Sequence, residues 1–86
     1  MAPMNGYSRY LRQVSRNLKN ARIASGLTQI EVHARTGLAY RHYQNLEAGR
    51  VNLTLETLYR LAKTFEVTVE ILVRENGSVD KAAQDA

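Results

Sequence analysis

The chain has 86 residues and no cysteine, enough for one domain with a modest core and nothing for disulfides or thiolate metal sites. No segment reaches the ~20 apolar residues of a membrane span, and the opening MAPMNGYSRY lacks a signal-peptide core, so a soluble, cytoplasmic protein is expected. Charge is split along the chain: residues 1–50 hold eight Arg or Lys against Glu31 and Glu47, whereas residues 51–86 hold four against six acids, which points to a polyanion approached from one side.

Residues 1–6 precede any apolar pattern and are expected to be a flexible start. The first predicted helix covers residues 7–25. Leu11, Val14, Leu18 and Ala21 make its buried stripe, and Arg9, Arg12, Arg16 and Lys19 fall almost opposite. That basic stripe reads as a solvated face, of which some part, but not all four charges, can reach a polyanion partner. The second helix covers 28–36, where Thr28 and Glu31 have the spacing of a capping box. Gly37 and Leu38 centre a turn of about three residues before the third helix at 39–48, which Gly49 ends. The fourth helix covers 55–65, capped by Thr54, with Leu58, Leu61, Ala62 and Phe65 inward. A short fifth helix follows Thr68 and carries Val69, Ile71, Leu72 and Val73. The remainder, NGSVDKAAQDA at 76–86, is small and polar and is expected to be a flexible tail. The fold expected is therefore all-α, a compact five-helix bundle over residues 7–75. Two short helices joined this tightly through a glycine form the helix-turn-helix pattern.

Three stretches, LKNARIASGLTQIEV, TGLAYRHYQNLEAGR and LTLETLYRLAKTFEVTVEILV, together resemble the phage-repressor and Cro type of helix-turn-helix domain, the xenobiotic-response-element family. The resemblance implies a lambda-repressor-like bundle whose third helix enters the DNA major groove. It also implies a structural ion pair between Arg22 and Glu47, and a Gln29 side chain that positions a neighbour on the third helix. Three positions depart from the family pattern. His33 stands where a small residue lets helices two and three approach. Thr36 stands where an apolar residue is usual. Ala39 occupies the N-cap of the third helix, where Ser or Thr is favoured. These leave the angle between the two helices open.

In the third helix Tyr43 and Leu46 take inward positions, leaving Tyr40, Arg41, Gln44 and Asn45 outward as the candidate base readers. Arginine can donate two bonds to guanine, Asn and Gln can pair with adenine, and tyrosine can touch a thymine methyl. Gln29 at the start of helix two, His42, and Arg50 and Asn52 after Gly49 are the candidate phosphate contacts. His33 is expected to be packed and hydrogen-bonded rather than a ligand, and two histidines without a carboxylate cluster do not make a zinc site. The apolar run Val69, Ile71, Leu72, Val73 is the candidate dimer interface. Together these features predict a sequence-specific, homodimeric regulator of double-stranded DNA with no cofactor. The alternative is a protein-interaction module, such as an antitoxin, with DNA binding secondary. No nucleophile–base pair, phosphate-cradling glycine loop or metal spacing suggests an enzyme.

Overall fold

The computed structural model describes residues 2–75, so the expected tail at 76–86 lies outside the described residues. Among the described residues, five helices form where apolar residues recur at three and four positions: α1 (Ala2–Ala24), α2 (Gln29–Thr36), α3 (Tyr40–Glu47), α4 (Leu55–Phe65) and α5 (Val69–Val73). The helical backbone of α1 starts at Ala2, before the residue-7 start predicted from the apolar stripe. A stripe marks only the part of a helix that has something to pack against.

Short helices of this kind need satisfied ends. At α2, the Thr28 hydroxyl accepts the Glu31 N–H at 3.1 Å and Glu31 Oε1 accepts the Thr28 N–H at 2.8 Å. Thr54 and Thr68 cap α4 and α5 in the same way through their hydroxyls. The α2–α3 turn depends on Gly37, whose φ of 79° is cheap only without a Cβ. Thr36 is buried there because its hydroxyl is satisfied on both sides. It donates to the Val32 carbonyl at 2.8 Å and accepts the Leu38 N–H at 3.1 Å. The polar departure thus fastens the turn. The expectation of a packed His33 needs correcting: the side chain is exposed, rotated away from the buried Val32–Thr36 stripe, and its Nδ1 donates to the Leu38 carbonyl at 2.6 Å.

Helix α1 packs against α3, α4 and α5, and α2 packs against α3 and α4. The core between them holds Val14, Leu18, Leu27, Val32, Tyr43, Leu46, Leu61, Phe65 and Leu72. Leu72 is fully buried in this core. It is therefore not available as a dimer contact, and the expected interface loses that residue. Val69 and Val73 also lean on the protomer's own core, leaving Ile71 as the exposed member of the run. Helix α5, only five residues long, is held from α1: Asn17 Nδ2 donates to the Leu72 carbonyl at 2.9 Å and the Arg74 carbonyl at 3.0 Å, and the Tyr10 hydroxyl donates to the Val73 carbonyl.

Candidate nucleic-acid interface

Helix α3 has eight residues, too few to be stable alone, and tertiary contacts decide its orientation. Tyr43 and Leu46 are fully buried, each contributing roughly 1.5–3 kcal/mol of apolar burial. With those two inward, Tyr40, Arg41 and His42 are exposed, and Gln44 and Asn45 are half-buried. Ala39 offers no side-chain cap, so no capping side chain occupies the first N–H groups of α3.

The other end of α3 is locked. Glu47 Oε2 accepts from Arg22 Nε at 2.6 Å and from the Tyr43 hydroxyl at 2.5 Å, while Oε1 accepts from Arg22 Nη2 at 3.2 Å and Gln29 Nε2 at 3.0 Å. Arg22 also donates to the Leu27 carbonyl at 2.8 Å. One carboxylate therefore ties α1, α2 and α3 together. Burial by itself would raise the Glu47 carboxyl, but the hydrogen bonds from Arg22, Tyr43 and Gln29 outweigh it and hold the group below the usual carboxylate range. The Arg22 guanidinium is raised, chiefly by its bond to Glu47. The Tyr43 hydroxyl is raised well above a free phenol, first by burial and then by Glu47. At neutral pH the hub thus holds a charged pair and a neutral phenol.

The candidate phosphate contacts surround this helix. Gln29 begins α2, and because its side chain is committed to Glu47, what it can offer a phosphate is its backbone N–H at a helix N-terminus. Arg50 is exposed beyond α3, with Nη1 3.4 Å from Asn45 Oδ1. Asn52 is exposed and accepts from the Tyr7 hydroxyl at 2.6 Å. His42 lies on the same exposed turn as Arg41. Tyr40 lines a shallow open groove with Arg22, Thr28, Gln29 and Ile30, and its ring meets the His33 ring edge-on at 6.4 Å. Gln29 and Tyr40 thus share one groove, and Arg50 lies beside Asn45.

Three residues outside the expected set join this arrangement. Tyr43 was expected only to pack, yet its hydroxyl is a donor of the hub. Ile30 is 58% exposed beside Tyr40; the helical projection of α2, with Val32 and Thr36 inward, is the signal for it. Tyr7 reaches Asn52 across 45 positions, and no local pattern signals that contact. No helix among the described residues is long and apolar enough to cross a membrane.

The sequence profile of a helix-turn-helix family matches residues 18–72. Over 55 residues, 64% of this chain and 71% of the other, the protein is 44% identical to an uncharacterised HTH-type transcriptional regulator, y4dJ, of Sinorhizobium fredii. Its fold is similar to that of a hypothetical transcription factor, NHTF, from Neisseria, with a TM-score of 0.75, 24% identity and 87% of each chain covered.

Proposed function

The chain belongs to the helix-turn-helix family of DNA-binding regulators, and from that premise we propose that it is a cytoplasmic, sequence-specific regulator that binds double-stranded DNA as a homodimer with α3 in the major groove. The observation that carries this reading is the division of α3. Its C-terminal end is clamped to α1 and α2 through Glu47, and its N-terminal half presents Tyr40, Arg41 and His42 to solvent on a rigid mount. Arg41 has no partner among the described residues, so its planar fork is free for a guanine edge. Gln44 and Asn45 supply amides that suit adenine, Asn45 also holding Arg50 at the helix end. The N-terminus of α2 at Gln29, with His42, Arg50 and Asn52, holds phosphates and sets register.

One such unit covers few base pairs, and pairing two copies is the economical route to specificity. The surface that supports pairing is Ile71, 38% exposed, flanked by the half-buried Val69 and Val73. Selection of bound duplexes from a random pool tests the whole reading. A palindromic consensus with half-sites about one helical turn, ~34 Å, apart is the expected result. A pool that stays random refutes sequence reading, and a single asymmetric half-site refutes the symmetric dimer.

A further inference from the structure

Helix α1 begins at Ala2, well ahead of its first buried residue among those described, Val14. Its first residues lie ahead of the family-matched span, and residues 1–17 contain Arg9, Arg12 and Arg16 and no acid. A solvated helix face normally mixes both signs, whereas three like charges spaced three and four apart repel one another. All three are exposed, and none is paired with a carboxylate among the described residues; Arg16 Nη2 reaches Gln13 Oε1 at 3.4 Å.

This face does not point away at random. Three contacts seat α1 along the C-terminal end of α3 and the α3–α4 loop that carries Arg50 and Asn52. The Tyr7 hydroxyl donates to Asn52 Oδ1 at 2.6 Å. The Ser15 hydroxyl, buried, donates to the Leu46 carbonyl at 2.7 Å. Gly49 lies so close to α1 that an added Cβ would stand 3.4 Å from Arg12 Cγ and 3.3 Å from Ser15 Oγ. Arg12 is therefore the immediate neighbour of the loop proposed above to hold phosphates.

We propose that the N-terminal half of α1, through Arg9, Arg12 and Arg16, is a second phosphate-holding surface that grips the DNA backbone outside the base pairs read by α3. Continuity with the loop and charge complementarity name duplex DNA as the occupant. From Arg9 to Arg16 the helix rises about 10 Å, over which one strand presents about three phosphates. Point charges on flexible stems suffice for phosphates, so this surface adds affinity and footprint without adding sequence preference.

The inference rests on the DNA-binding reading, and its test separates the two. Affinity is measured against salt for the wild-type protein, R9Q/R12Q/R16Q and R9K/R12K/R16K. The duplexes are the selected site with its flanks, the same site trimmed to the read base pairs, and a scrambled sequence. On the flanked site the glutamine variant should bind at least tenfold more weakly at low salt. Its slope of log affinity against log salt should be shallower by about two to three charges. The lysine variant should keep the slope, the trimmed site should not distinguish the variants, and preference over the scrambled duplex should survive. In the unmutated protein the flanked duplex should shield Arg12 from phenylglyoxal, and the trimmed one should not. A wild-type slope in the glutamine variant, with site preference intact and Arg12 unshielded, overturns the α1 surface while leaving α3 as the reader. An equal loss on flanked and trimmed sites overturns the assignment to flanking phosphates. A wild-type protein that prefers no duplex removes the underlying reading and this one with it.

Discussion

Replacing Glu47 with alanine strikes the point where three helices meet. The Glu47 side chain is 4% exposed and that of Arg22 13% exposed, so the surviving guanidinium has little access to water. Stranding one partner of a buried ion pair costs about 3–5 kcal/mol. Arg22 keeps its bond to the Leu27 carbonyl, and Gln29 is only half-buried and can turn to solvent, which lowers the figure. The Tyr43 hydroxyl, on a fully buried residue, loses its acceptor and raises it again. The balance is a loss of about 2–4 kcal/mol, which for a domain of this size lowers Tm by roughly 10–30 °C. Replacing both partners, Arg22→Met with Glu47→Leu, should cost less than Glu47→Ala, because no charge is left buried. The assay is urea unfolding followed by far-UV circular dichroism, with the m-value unchanged so that the midpoint reports stability. The pair also sets an acid dependence. A carboxyl held below its unfolded value of about 4.3 contributes stability that is present above that pH and is lost as pH falls through the lower folded value. That part of the acid transition should flatten in the double variant. An unchanged midpoint in Glu47→Ala, or a double variant worse than the single one, refutes the reasoning.

Other outcomes follow from single contacts. Arg41→Ala should cost ~1–3 kcal/mol on the selected site and relax one base position, while Arg50→Ala should weaken binding to every duplex and reduce the salt slope by about one charge; titrations on selected and scrambled duplexes at several salt concentrations separate the two. Ala39→Ser should stabilise the protein by about 0.5–1 kcal/mol in urea unfolding, since the residue is exposed, already extended (φ −57°, ψ 139°), and lacks a side-chain cap. Gly49→Ala should destabilise by about 1–2 kcal/mol, because its φ of 73° disfavours a Cβ and that Cβ meets Ser15 and Arg12; calorimetry reads it. Ile71→Asp should shift sedimentation at high micromolar concentration toward the monomer without lowering Tm by more than a few degrees, since the side chain is partly exposed and an aspartate there can still reach water.

Which features were legible in the sequence follows from how far apart their parts lie. The capping box of Thr28 and Glu31, the hydroxyl caps at Thr54 and Thr68, the left-handed turn at Gly37 and the inward placing of Tyr43 and Leu46 all involve residues within four positions. There helix geometry alone relates one side chain to the next. The pairing of Arg22 with Glu47 came from the family resemblance, and their atoms lie 2.6 Å apart across 25 positions. The rest depended on how helices lie on one another. Leu72 read as surplus apolar surface until α1 covered it, because hydrophobicity does not say which neighbour will bury a side chain. His33 read as an intruder between two helices until the turn carried it outward to the Leu38 carbonyl. Tyr43 showed only its ring in the apolar pattern, and its hydroxyl acquired a role when Glu47 arrived one turn later with Arg22 and Gln29 already bound. The links from Tyr7 to Asn52 and from Asn17 to the Leu72 carbonyl span 45 and 55 positions, where no periodicity operates. The sequence by itself determined five helices, their caps and the chemistry of the exposed face of α3. The tertiary structure decided how that face is held and what stands beside it, because short helices take their orientation from packing rather than from their own propensity.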